Sequence, residues 1–177
     1  MTANHSRIIA LLAAILVAAT LRLVPHPPNF SPIAAMALFS GAYLGRRALA
    51  FAAPLGALLL SDIVLGFYPD IWVTYVAVTL IVLVGWLVLP RVSALRVGIA
   101  AIASSVLFFL ISNFGVWAVS GMYPLSPAGL AACYVAAIPF FQNTVAGDLF
   151  YAVLLFGGFA LAKHFVPQLR AGEPQPA

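Results

Sequence analysis

Residues 71–89 read IWVTYVAVTLIVLVGWLVL, nineteen residues without a charged side chain. Pro90 follows directly, and proline cannot continue a helix. A helix needs about 20 predominantly apolar residues to cross the hydrocarbon core of a bilayer. This stretch therefore predicts a transmembrane helix that ends before Pro90, and the apolar runs on both sides of it indicate that the whole chain lies in a membrane.

The composition excludes a soluble globular protein. Of 177 residues, 64% are hydrophobic and 7% are charged, whereas soluble domains carry about 25% charged residues. The net charge of +4 comes from isolated residues, which form no basic stripe for nucleic acid. The single cysteine excludes an intrachain disulfide, and no Cys/His spacing indicates a metal site or a cofactor.

Cutting the chain at its charges and prolines predicts an all-α integral membrane protein with six transmembrane helices in one domain, 1–167, followed by a short disordered tail, 168–177. The apolar segment 127–141 is about 22 Å long as a helix, which favours a half-buried segment between helices 5 and 6, with a seventh crossing as the alternative. The first helix could also be a cleaved signal peptide. The six predicted helices are 8–24, a second from the proline-rich 25–32 to about Gly45, 48–67, 71–89, 97–119 and 143–166.

The positive charges predict the orientation, because short cytoplasmic loops are enriched in lysine and arginine. With both termini in the cytoplasm, six crossings leave only Arg22 outside. The cytoplasmic residues would be Arg7, Arg46, Arg47, Arg91, Arg96, Lys163 and Arg170.

Most polar side chains then fall at the outer ends of the helices. Polar groups at membrane depth are costly, so they usually face a bundle interior or a watery cavity and indicate function. On the last helix they share one sector at 100° per residue. We therefore expect a binding pocket on the outer side, built from Arg22, His26, Asn29, Asp62, Tyr68, Asn113, Trp117, Asn143, Asp148 and Tyr151.

Each group also has a simpler interpretation. Arg22 and Asp62 would equally form a structural ion pair between two helices, and His26 would be an ordinary loop residue. Aromatic residues near a membrane surface are often an interfacial belt, which is the alternative for Trp72, Tyr75 and Tyr123.

Ala10, Ala14 and Ala18 recur every four residues on the first helix. This spacing lets another helix approach closely in lipid and suggests a docking face, although an alanine-rich chain produces it by chance as well. No catalytic motif and no phosphate-binding loop is recognisable. The sequence thus names no catalytic residue, while an intramembrane enzyme and a structural membrane protein stay open as alternatives.

Four stretches carry a family resemblance: 22–43 (RLVPHPPNFSPIAAMALFSGAY), 61–68 (SDIVLGFY), 112–117 (SNFGVW) and 138–148 (IPFFQNTVAGD). They resemble a family of bacterial membrane proteins of unknown function. That family is similar, at the level of the fold, to the substrate-binding S components of energy-coupling-factor (ECF) vitamin transporters.

The resemblance implies a subunit of the bacterial cytoplasmic membrane that captures a vitamin or similar micronutrient in an outward-facing pocket. It also implies that Ala10, Ala14 and Ala18 dock onto a scaffold subunit carrying two ATPases, although some relatives act without that module. Membrane lipid would be the other partner. A cobalamin-type relative would need a cobalt ligand, for which His26 or Cys133 could serve.

Overall fold

The computed structural model describes residues 3–45 and 48–170, in which every regular element is a helix. Five of the helices are long and apolar enough to cross a membrane, which confirms a helical, multi-pass membrane protein. The long helices are α1 (Ala3–Leu21), α3 (Ala48–Leu65), α4 (Ile71–Val88), α5 (Ala94–Val119) and α6 (Pro127–Phe165), and the short one is α2 (Ile33–Leu44).

Local sequence explains where the helices begin and end. Ser93 and Ser126 precede α5 and α6, and each side chain accepts a hydrogen bond from a backbone N–H of the first turn, as helix N-caps do. Pro127 occupies the first turn of α6, where its missing N–H costs nothing. Gly45 follows α2 with a φ of 60°, the left-handed conformation that glycine adopts without a steric penalty.

The predicted half-buried segment 127–141 is wrong as a separate element, because α6 runs without interruption for 39 residues. Pro139 lies inside it. In an apolar environment the backbone must form its hydrogen bonds internally, so neighbouring helices often support a proline-containing helix. Helix α5 packs along this part of α6: Tyr134 donates to the carbonyl of Leu110 at 2.7 Å, and the rings of Phe109 and Phe141 lie 4.8 Å apart.

The second half of α6 contains a π-helical turn, Val153–Gly157, and ends at Phe165. A 3-10 turn, Pro167–Arg170, follows and packs against α1, with Leu169 buried. Helical structure is therefore described as far as Arg170. Residues 171–177 of the predicted tail lie outside the described residues.

Helix α2 is the centre of the bundle. It contacts each of the other five helices and packs most extensively against α4. A Cβ on Gly41 would overlap the carbonyl oxygen of Val82, and one on Gly85 would overlap that of Leu38, so the two backbones touch. With 12 residues, α2 is about 18 Å long. It ends where predicted, yet it is too short for a hydrocarbon core of about 30 Å.

The two ends of the bundle differ in charge. We call the end where α1 and α3 finish and α2 and α4 begin the polar end; Arg22 and Asp62 lie there. The opposite end holds the other described lysine and arginine residues, and Arg46 and Arg47 lie outside the described residues. The cations of the opposite end are Arg7, Arg91, Arg96, Lys163 and Arg170.

Candidate functional site

A cavity of about 340 Å³ opens at the polar end. Its wall is formed by the loop between α1 and α2, by the ends of α2, α3 and α4, and by the middle of α5 and α6. Several parts of the chain that are distant in sequence thus meet at one site. The lining residues are Arg22, His26, Asn29, Ser31, Ile33, Ala34, Leu65, Tyr68, Thr74, Phe108, Thr144 and Asp148.

The proline-rich loop between α1 and α2 forms the rim of this cavity. Asn29 has a φ of 64°, a left-handed conformation that asparagine tolerates better than most residues. The backbone N–H of Phe30 donates to the carbonyl of Pro27 at 3.0 Å, closing a turn. This turn directs Asn29 and His26 to the cavity.

One face of α6 holds the loop in place. Asn143 donates its side-chain N–H to the carbonyl of Pro28 at 3.1 Å, and Gly147 leaves room for the backbone of Phe30. The ring of Phe30 lies 5.6 Å from that of Tyr151, centroid to centroid. Asn143 and Tyr151, which were predicted to bind a ligand, therefore support the loop and do not line the cavity.

The adjacent strip of α6 supplies the cavity with Thr144 and Asp148. Asp148 is 3% exposed, and its carboxylate accepts a hydrogen bond from the hydroxyl of Ser105 at 2.6 Å. The buried hydroxyl of Ser31, another residue of the cavity lining, has no hydrogen-bond partner. The polar sector predicted on the last helix thus serves two purposes, since one edge binds the loop and the other faces the cavity.

Arg22 and Asp62 form a nearly buried ion pair between α1 and α3, with 2.7 Å between Nη1 and Oδ1. The same guanidinium nitrogen donates to the hydroxyl of Ser61, and Tyr75 of α4 donates to the other carboxylate oxygen at 2.9 Å. Asp62 does not line the cavity, whereas Arg22 does. The pair has the geometry of the structural ion pair considered as an alternative.

Tyr68 lies in the loop between α3 and α4, and its hydroxyl is 2.9 Å from that of Thr74. Both residues line the cavity. Partial burial raises the pKa of the Tyr68 phenol; the hydrogen bond with Thr74 lowers it, while the carboxylates of Asp62 and Asp70 raise it further. The phenol is therefore neutral at physiological pH and able to donate or accept a hydrogen bond.

Two further predicted site residues do not line the cavity. The side chain of Asn113 donates to the carbonyl of Phe109 in its own helix at 2.8 Å, and the indole of Trp117 donates to the carbonyl of Pro124 at 2.9 Å. Trp117 thus braces the loop between α5 and α6. The sequence correctly placed both near helix ends, but depth in a membrane does not determine which way a side chain points.

Four polar or aromatic residues of the cavity were missing from the predicted set. Their types are common in membrane helices and loops, so no sequence pattern selects them individually. Three of them are hydroxyl residues that belong to the polar groups at the outer ends of the predicted helices, which is a partial signal. These residues are Ser31, Thr74, Phe108 and Thr144.

The alanines of α1 line a separate, apolar groove of about 310 Å³ between α1 and the last third of α6. Ala10 and Ala14 are half-buried, and Ala18 is 3% exposed. Gly158 and Ala162 form part of the opposite wall. Small residues therefore face each other across a gap between two helices of this chain.

His26 and Cys133, the two alternative candidates for a cobalt ligand, lie in different parts of the protein. His26 lines the cavity, whereas the Cys133 thiol is buried against α5 and donates to the carbonyl of Asn113 at 3.4 Å. Within residues 3–45 and 48–170, no group of three or more His, Cys, Asp or Glu side chains could hold a metal ion.

A family model matches residues 2–169, nearly the whole chain, and its description is a family of unknown function, DUF6580. Neither a curated protein nor a solved structure matches the chain significantly. The chain therefore belongs to the DUF6580 family, whose membership carries no assigned activity.

Proposed function

We propose that this protein captures a small polar solute, a vitamin or similar micronutrient, for uptake across a bacterial cytoplasmic membrane, in the manner of an ECF S component. The observation that carries the proposal is the cavity at the polar end. It combines a buried carboxylate, Asp148, with a buried hydroxyl that lacks a partner, Ser31.

The size and lining of the cavity support a binding role. A volume of about 340 Å³ is at the small end of typical ligand sites, which hold about 300–1,000 Å³. Apolar side chains such as Ile33, Leu65 and Phe108 share the wall with hydroxyl and charged groups. Such a mixture provides apolar contact for the body of a solute and fixed polar groups for its orientation.

The charge distribution supports an outward-facing cavity. Five described cations lie at the opposite end, and the positive-inside rule assigns a cation-rich end to the cytoplasm. In this orientation both described ends of the chain are cytoplasmic, so the chain must cross the membrane an even number of times. The short helix α2 must then cross together with the loop 25–32, in addition to the five long helices. The polar end then meets solute from outside.

For release into the cell, we propose that the groove beside α1 docks a scaffold subunit that carries two ATPases. Ala10 and Ala14 on one wall and Gly158 and Ala162 on the other would admit a helix of the scaffold, because small residues allow close helix packing in lipid. The chain itself supplies the solute site and the docking face.

The test is mass spectrometry of small molecules released from the denatured, purified protein. In the variant Ile33→Trp, a larger side chain fills the cavity wall, so we expect the solute found with the wild type to be lost. The matched control Ile138→Trp places the same substitution at a side chain that is 59% exposed on α6 and should retain the solute. Equal retention in both variants, or a wild type that releases no solute, would contradict the proposal.

A further inference from the structure

The Asp148 carboxylate has no cationic partner. None of the described residues forms an ion pair with it, and its hydrogen-bond partner is the neutral hydroxyl of Ser105. The Arg22 guanidinium also lines the cavity, but Asp62 already balances its charge at 2.7 Å. The cavity therefore has one acidic group whose charge the described protein does not compensate.

Such an arrangement is costly in a membrane protein. A carboxylate removed from water loses its hydration, and one hydrogen bond from a hydroxyl does not replace it. Buried acids in membrane helices are accordingly paired, or they mark an ion or substrate pathway. Because Asp148 is 3% exposed and lines the cavity, a cation from solution would reach its carboxylate through the cavity.

The neighbouring groups favour an organic solute over a bare metal ion. The hydroxyl of Ser31 is buried in the same wall without a partner, so a second hydrogen bond is available to a solute. The described residues offer no cluster of three metal-ligating side chains. A cavity of about 340 Å³ also exceeds what a single ion would fill, and Phe108 and Leu65 give it an apolar wall.

We propose that the solute is an organic cation whose protonated amine or quaternary ammonium group binds to the carboxylate of Asp148. This inference rests on the proposed capture function. The apolar wall contacts the uncharged part of the solute, and Ser31 accepts or donates a hydrogen bond beside it. The inference concerns the chemical class of the solute, which the proposed function leaves open.

The experiment compares three probes that share one ring and differ in charge: benzylammonium, benzyl alcohol and benzoate. Each is titrated against the purified full-length protein in detergent, and its dissociation constant is obtained from the rise in thermal unfolding temperature. We expect benzylammonium to bind the wild type at least about tenfold more tightly than benzyl alcohol, since one desolvated charge pair commonly contributes that much or more. Benzoate should bind no better than the alcohol.

Two variants assign the preference to one carboxylate. Asp148→Asn is isosteric and uncharged, so the preference for benzylammonium should disappear. The matched control Asp70→Asn removes the same charge from a residue outside the cavity wall and should keep it. If Asp148→Asn fails to fold, the comparison of the three probes on the wild type still tests whether the cavity prefers a cation.

Four outcomes overturn the proposal: equal binding of benzylammonium and benzyl alcohol, no binding of benzylammonium, an unchanged preference in Asp148→Asn, or the same stabilisation by sodium chloride alone. The last result would assign an inorganic cation. Failure of the underlying function is distinguishable, because the mass-spectrometric test is independent of charge. If the solute lost from Ile33→Trp is neutral or anionic, the capture function stands and the proposal that the solute is a cation is refuted.

Discussion

Removal of the Asp62 carboxylate should destabilise the protein strongly. In Asp62→Ala the guanidinium of Arg22, which is 11% exposed, keeps only its bond to Ser61, and the hydroxyl of Tyr75 loses the acceptor at 2.9 Å. Breaking a buried ion pair costs about 3–5 kcal/mol because one charge stays buried without a partner. Since Arg22 retains some contact with solvent, we expect a loss of about 3 kcal/mol, the lower limit of that range.

A double variant separates this effect from a general disturbance. Arg22→Met with Asp62→Leu removes both charges and leaves apolar side chains of similar length. Replacing a buried ion pair by apolar residues is often neutral or even stabilising. With the single variants Arg22→Met and Asp62→Leu completing the cycle, the double variant should be more stable than Asp62→Leu alone, with a coupling energy of about 0.5–3 kcal/mol, as expected for residues in direct contact.

The free energy of unfolding can be followed through the accessibility of the cysteine thiol. Cys133 is the single cysteine of the chain and is 2% exposed, so a fluorogenic maleimide should react with it only after unfolding. The free energy of unfolding is obtained by titration with sodium dodecyl sulfate from a mild detergent. A loss below about 0.5 kcal/mol in Asp62→Ala, typical of a surface substitution, would refute the assignment of a stabilising pair, as would additive losses in the double variant.

Two further predictions follow from the close helix contacts. Gly41→Ala should reduce the yield of folded protein severely, because its Cβ would overlap the carbonyl oxygen of Val82. In the control Gly56→Ala the added Cβ would meet nothing within 4 Å, so this variant should behave like the wild type. The yield of folded protein is measured for both variants by size-exclusion chromatography. Ala14→Trp should fill the groove beside α1 and prevent co-purification of the scaffold subunit without changing the affinity for the solute. The control Ala13→Trp, on the exposed side of α1, should still co-purify with the scaffold subunit. Normal co-purification of Ala14→Trp would contradict the proposed docking face.

The sequence predicted the long helices well because a bilayer imposes a length and a composition on each crossing. Helix α4 was predicted at 71–89 and lies at Ile71–Val88. The continuity of α6 was not predictable in the same way. Pro139 suggests a break when it is considered alone, whereas the packing of α5 along this region is not encoded by any local pattern.

The candidate site was predictable in part. Arg22, Asp148 and Tyr68 stood out because charged and phenolic groups are rare in a membrane and collected at one end. Which of these groups meet depends on helix rotation and on the course of the loop 25–32. For that reason depth alone groups Asn113, whose amide bonds within its own helix, with the cavity residues, and it does not reveal that the hydroxyl of Ser31 lacks a partner.

The position of α2 has a consequence for biogenesis. A helix of 12 residues is too short to partition into the bilayer as an independent crossing, which needs roughly 17–25 residues. Its backbone rests against α4, at Gly41 and Gly85, yet α4 emerges from the ribosome later than α2. Membrane insertion and tertiary folding of this chain are therefore coupled: α2 reaches its final position only when the helix synthesised two elements later arrives to cover it.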